Sequence, residues 1–153
     1  MGLRGVRMSK TNKELIRDYI DIMWNRHDFE KAMGYLTPEM AELTVPHARE
    51  LLDAFSDLSV EILEPGFIGD GEYVAMRLLV SGVHDGGEFA GQPPSRKRLS
   101  WESFRIMRLV GGKIAGTWAM QDRLGLLEQL GAIESRAAEV HWAAGDDSGA
   151  TET

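Results

Sequence analysis

Cysteine is absent from the 153-residue chain. That excludes a disulfide framework, a thiol nucleophile and any cysteine-ligated zinc or iron–sulfur centre. It also fits a reducing compartment, and a cytoplasmic location is expected. Positive charge is in short supply: 17 lysines and arginines against 24 aspartates and glutamates leave a net charge of −7. Nucleic acids and anionic membranes are recognised by clustered positive charge, so neither is expected as a partner. No apolar run approaches the roughly 18 residues a membrane helix needs. The opening MGLRGVR is not followed by the apolar stretch of a secretory signal. Nucleophile elbows, phosphate loops and dinucleotide fingerprints are missing, and Gly69-Asp70-Gly71 and Gly86-Gly87 read as turn glycines. The four histidines show no metal-ligand spacing, so neither a metal nor a cofactor is expected.

What is present is enough for one domain. The hydrophobic share is 43%, close to the globular average. A single domain is expected over 9–144, with disordered tails at 1–8 and 145–153; the second tail, GDDSGATET, has no apolar residue to anchor it beyond alanine.

The first half reads as helices. Thr11 to Asn25 carries an apolar stripe through Leu15, Ile16, Tyr19, Ile20 and Met23, with Thr11 and Glu14 spaced as a capping box. A short helix is expected over Asp28 to Leu36, capped by Asp28. A third is expected from Pro46 to Phe55, with proline in its first turn. After Asp57 the period changes to two. A strand follows from Val60 to Ile68, interrupted near Pro65–Gly66. The next runs from Glu72 to His84 with Val74, Met76, Leu78, Val80 and His84 on one face. Residues 85–98, DGGEFAGQPPSRKR, form a long loop. Leu99 to Val110 and Lys113 to Asp122 form a hairpin about Gly111-Gly112. Arg123 to Leu130 closes as a helix stopped by Gly131, and 132–144 reads as a possible continuation. Helices first and antiparallel strands afterwards describe an α+β layer fold, a curled sheet forming a cone whose mouth is a ligand pocket.

The hairpin holds most of the chemistry. A turn centred on the two glycines sets Trp101 opposite Asp122, Ser103 opposite Met120, Arg105 opposite Trp118 and Met107 opposite Gly116, all on one face. Such a face has the make-up of an apolar pocket with a few placed polar groups. Trp101, Arg105, Met107, Trp118 and Met120 are therefore candidate substrate contacts, together with Tyr19 of the first helix. Asp122, at the strand's end beside tryptophans, is the candidate general acid/base, its pKa expected to rise by desolvation. The competing reading makes it the N-cap of the helix that begins at Arg123. His84 is a candidate proton shuttle, against the reading of a histidine satisfied by nearby backbone. Arg105 can hold an oxyanion or enolate, or can stack on Trp118 or pair with a carboxylate. Phe104 and Ile106 fall on the opposite face, and a homodimer formed through it is expected.

The segment from Ser81 to Gly131 resembles the SnoaL-like polyketide cyclases and related ester cyclases of the nuclear transport factor 2-like superfamily. The resemblance lies in the His84-Asp85-Gly86 start, the Glu88-Phe89-x-Gly91-x-Pro93-Pro94-Ser95 loop, Arg108 before the glycine turn, and Ile114, Trp118 and Asp122 at spacing four. DYIDIMWNRHDFEKAMGYLTPE is similar to the family's first helix pair. The resemblance covers roughly Asn12 to Ile133. It implies a cone-shaped nuclear transport factor 2-like (cystatin-like α+β barrel) fold. It also implies cofactor-independent ring closure of a polyketide-like or other apolar small molecule, of intramolecular aldol type, with Asp122 as acid/base. Three positions depart from the family pattern: Thr117 where histidine is common, Ala119 where an acid is common, and Arg96 where glycine is common. A non-catalytic small-molecule-binding module of the same fold is the alternative. An epoxide hydrolase of this fold would need an Arg-x-Asp pair, but Arg105 is followed by Met107 and Arg77 by Leu79.

Overall fold

The computed structural model describes residues 10–134; both expected disordered tails and any helix over 135–144 fall outside the described residues. The N-terminal helix α1 (Asn12–Ile20) begins as the capping box dictates. The Glu14 amide donates to Thr11 Oγ1 at 3.3 Å, and the Thr11 amide donates to Glu14 Oε2 at 2.8 Å. The helix widens into a π turn over Asp21–Asn25. There the Asn25 amide clamps the backbone of Val60, accepting from its N–H at 2.7 Å and donating to its carbonyl at 3.1 Å. Just past this turn His27 adopts left-handed backbone, at φ 57°.

Helix α2 (Phe29–Met33) is capped by Asp28, as expected. Helix α3 (Pro38–Ala54) starts eight residues before the expected Pro46. Thr37 caps it and Pro38 fills its first turn, where no N–H is needed. Pro46 lies in its interior, where packing of Ala48, Leu51 and Ala54 against the core outweighs the lost backbone bond.

Strands β1 (Ser59–Asp70), β2 (Tyr73–Val83), β3 (Arg98–Val110) and β4 (Lys113–Gln121) form one antiparallel sheet in the order β1-β2-β3-β4. The β1–β2 register breaks between Ile62 and Phe67, around the expected Pro65–Gly66 interruption. Helix α4 (Arg123–Leu130) ends at Gly131, whose φ of 72° suits glycine. The helices cover one face of the sheet. Their Ile16, Ile20, Met23, Trp24 and Leu51 pack with inward residues of β2 and β3 into one core. This is the expected α+β architecture.

The hairpin register carries one correction. Leu109 pairs with Ile114 and Val110 with Lys113, as a turn at Gly111-Gly112 requires. A bulge between Arg108 and Leu109 then moves β4 on by one residue: Arg108 faces Gly116, Met107 faces Thr117, Arg105 faces Ala119 and Ser103 faces Gln121. One residue of slip exchanges the faces of a strand.

Candidate functional site

The bulge sorts the candidate residues. On β3, Trp101 (3% exposed), Met107 and Arg105 point to the helix-covered inner face, as expected. On β4 the expectation is reversed. Trp118 (55% exposed) and Met120 (77% exposed) lie on the outer face with Phe104 and Ile106. They contact nothing in the cone. The inner residues of β4 are Thr117, Ala119 and Gln121, so the two family departures on this strand belong to the interior. Thr117 and Ala119 remain exposed although they face inward. The helices therefore leave the inner side of β4 uncovered, and the cone opens there.

Just inside that opening, opposite Ala119, stands Arg105. It lines a small cavity with Trp24, Leu51, Trp101 and Gln121. Its Nε reaches Ser103 Oγ at 3.4 Å, at the long limit of a hydrogen bond. Burial draws the guanidinium's pKa below the ordinary arginine value, but arginine stays charged. Tyr19, 2% exposed, has its phenol pushed up to about 12, chiefly by burial against a smaller opposing pull from Arg105. His47 is pushed down, first by desolvation and then by the Arg105 charge. Near neutral pH the site thus holds a cation, a protonated phenol and a neutral imidazole. His47 was not singled out by sequence, because a helix starting at Pro46 puts it in a first turn rather than mid-helix. Trp24 was legible only as a stripe neighbour.

His84 is wholly buried, and both ring nitrogens are committed. The Ser95 amide donates to Nδ1 at 3.2 Å, and Nε2 lies 2.9 Å from the Gly87 carbonyl. With Nδ1 accepting, Nε2 carries the proton and donates. The expected proton shuttle is corrected: no ring nitrogen is left for a substrate. Instead His84 pins the 85–97 loop. Phe89 from that loop stacks on Trp101 at 5.6 Å between centroids and meets Phe55 edge-on at 4.9 Å. Gly86 lies so close to the Asp53 carbonyl that no Cβ fits between them. Arg96 adopts φ 61°, left-handed backbone that explains the family's glycine at this position.

Asp122 follows β4 directly. Its Oδ1 accepts from the Gly125 amide at 2.9 Å, capping α4. The carboxylate fills the space a Cβ on residue 125 would take. The side chain is exposed, so the expected desolvation beside tryptophans is corrected: Trp118 has turned to the other face and Trp101 lies deeper in the cone. Oδ2 makes no hydrogen bond among the described residues.

A depression of about 460 Å³ lies on the outer face, lined by Pro65, Ile68, Phe104, Ile106, Trp118 and Met120. Its nearby charges are spent on each other, Arg77 and Glu102 making a two-bond pair at 2.8 and 2.7 Å. A largely apolar trough with no carboxylate or imidazole in its lining suits association better than acid/base chemistry. Among the described residues no group of three or more His, Asp or Glu side chains is placed to hold a metal, and no helix is long and apolar enough to cross a membrane.

Residues 13–130 match the family model for the SnoaL-like polyketide cyclases. A curated relative, the aklanonic acid methyl ester cyclase DauD of Streptomyces sp. (strain C5), is 35% identical over 78 residues, 51% of this chain and 47% of that one. The match thus spans about half the length of that relative. Among solved structures, AclR of Streptomyces galilaeus aligns with a TM-score of 0.72 at 25% identity, covering 86% of this chain and 88% of that one. TsrD of Streptomyces laurentii aligns at 0.71 with 23% identity, covering 81% and 100%. The second likeness is one of fold. The match over most of the chain, the curled sheet and the helix-covered cone agree: the chain belongs to the SnoaL-like polyketide cyclase family, on the nuclear transport factor 2-like fold.

Proposed function

We propose that the protein closes a ring in an apolar, polyketide-like small molecule by cofactor-independent aldol chemistry, with the cone interior as its binding site and Asp122 as general acid/base. The Asp122 carboxylate would take a proton from a carbon beside a carbonyl. The carbanion would add to a second carbonyl carbon of the same molecule, forming the C–C bond. The resulting alkoxide would recover the proton from the Asp122 carboxyl group, so nothing is oxidised or reduced. Holding the two ends together supplies several kcal/mol of the barrier, and proton transfer a further ~10²–10⁴-fold.

One observation carries this reading. Asp122 stands one residue beyond Gln121, a cavity-lining residue, at the uncovered edge of the cone, with one carboxylate oxygen free of the helix cap. A ligand entering there would also exclude water from the carboxylate. The cap itself favours a second reading, a binding module without catalysis. Asp122→Asn separates the two, because asparagine caps about as well as aspartate but accepts no proton. With aklanonic acid methyl ester and its free acid as trial substrates, the cyclase reading expects turnover to fall at least 10²-fold at an unchanged melting temperature. Turnover that survives the substitution removes Asp122 from the chemistry.

The protein is further proposed to act as a cytoplasmic homodimer. Ile68, Phe104, Ile106, Trp118 and Met120 make one exposed apolar face, and Arg77 and Glu102 beside it allow the self-complementary contacts of a two-fold interface. Trp118→Glu should yield the 17.0 kDa chain mass by light scattering where the wild type gives twice that; a monomeric wild type refutes the dimer.

A further inference from the structure

Two donor side chains inside the cone are short of acceptors. Trp101 is 3% exposed, and its Nε1 is a buried polar atom with no hydrogen-bond partner. A buried donor left unpaired costs about 1–3 kcal/mol, so such an atom calls for an explanation. Arg105 lines the same cavity. No carboxylate among the described residues pairs with it, and its long contact with Ser103 is its one side-chain hydrogen bond. Buried charges are ordinarily paired. Across the ladder stands Ala119, which has no acceptor to offer.

The space between these side chains is about 20 Å³, the volume of a single oxygen or water. Trp101 and Arg105 both line it, so an oxygen entering there would lie beside the two side chains. The rest of its molecule has a way out along the inner side of β4, where Ala119 and Thr117 are uncovered. The surrounding groups agree in sign. Tyr19 keeps its proton and His47 stays uncharged near neutral pH, so no anion of the protein competes for Arg105.

We propose that the ligand of this cone is a carboxylic acid, its carboxylate seated between the Arg105 guanidinium and the Trp101 indole N–H. The proposal rests on the reading of the cone interior as the ligand site and is independent of Asp122 as acid/base. It distinguishes this chain from a protein that takes a methyl ester, since esterification removes the charge Arg105 would bind. Charge-assisted bonds of this kind are the stronger class.

Benzoate and methyl benzoate are matched probes, alike in ring and carbonyl and different in charge at pH 7. Titrations are followed by calorimetry and by the indole N–H resonance of Trp101, assigned by its loss in Trp101→Phe. The expected result is benzoate binding at least tenfold more tightly than the ester, with a downfield shift of that resonance. Arg105→Met should abolish the preference, and Arg105→Lys should retain part of it. Asp122→Asn should bind benzoate like the wild type. Equal affinity for the two probes, no benzoate binding at millimolar concentration, or a preference that survives Arg105→Met each overturns the proposal. If Asp122→Asn is inactive while benzoate is not preferred, the cyclase reading stands and the carboxylate site falls.

Discussion

Arg105→Met should make this protein more stable, although it deletes a side chain from the centre of the candidate site. The guanidinium is drawn out of water by Tyr19, Trp101 and the helix layer, and no carboxylate among the described residues offsets that desolvation. Replacing buried ionic groups with apolar ones of similar volume gains about 1–4 kcal/mol. What is lost is one 3.4 Å bond to Ser103, worth about 0.5 kcal/mol at most at that length. Arg105 keeps partial access to solvent through the opening along β4, which places the net gain in the lower half of the range, about 1–2 kcal/mol. For a chain of this size each kcal/mol moves the melting temperature by about 2–4 °C, so the variant should melt about 2–8 °C higher in calorimetry. The Arg105 charge helps hold His47 down, so its removal should also let the His47 pKa rise in an NMR titration. A variant destabilised by 1 kcal/mol or more would mean that the fold uses Arg105 as a strut, and the argument that its charge waits for a ligand would fail. A stabilised variant that has lost benzoate binding is the pattern of a residue kept for function against stability.

Three further outcomes test the surroundings. Tyr19 has a folded pKa of about 12 against an ordinary value of 10.0; the unfolded chain therefore loses this proton first, and stability present below pH 10 drains away between pH 10 and 12. Two decades at 1.36 kcal/mol each make about 3 kcal/mol, so urea denaturation of wild type and Tyr19→Phe should diverge across that window, and parallel curves would refute the shift. His84→Ala removes a buried side chain with two bonds to the loop; about 2–4 kcal/mol should be lost, with faster amide exchange over 85–97, and unchanged exchange would show that the loop holds itself. Arg96→Gly relieves a left-handed residue worth about 1–2 kcal/mol, against about 0.4–1 kcal/mol of added unfolded-state freedom; a gain of about 0.5 kcal/mol in thermal melts is expected, and a loss would show that the Arg96 side chain makes compensating contacts.

Local chemistry was legible and register was not. Thr11 with Glu14, Asp28, Asp122 and Gly131 each act through their own helix end, so sequence spacing located three of the four α-helices. Pro46 misled because a proline can open a helix or be tolerated inside one. The choice was made by Thr37–Pro38, a better start eight residues upstream. Period two identified the inner faces of β2 and β3, because Val74, Met76, Leu78 and Val80 recur on one and Leu99, Trp101, Met107 and Leu109 on the other. Strand β4 reads KIAGTWAMQ, with no such recurrence of large apolar residues on one face. A turn alone fixes register only until the first bulge, and this one lies two pairs from the glycines. His84 was recognisable as buried by its place in an alternating strand. That both its nitrogens would be used by loop backbone depended on Gly87 and Ser95, three and eleven positions away.

The bulge also explains how one short strand serves two surfaces. In the unbroken register Trp118 and Met120 would face Arg105 and Ser103 and fill the cone with two of the largest side chains in the chain. Packing that dense leaves no room for a ligand. The extra residue turns both outward, where they join Phe104 and Ile106 on the exposed face, and brings Thr117 and Ala119 inward in their place. These small side chains leave the inner edge open. They also leave Arg105 facing the Ala119 methyl group rather than the Trp118 indole. The cavity, its opening and the apolar outer face thus follow from a single change of register. Deleting Ala115 should remove the bulge and leave the pairs beyond it unchanged, with Arg105 still facing Ala119 and Trp118 still turned outward. Benzoate binding and the association of the chain should then both persist. Loss of either would show that the bend at the bulge, and not the register alone, shapes that surface.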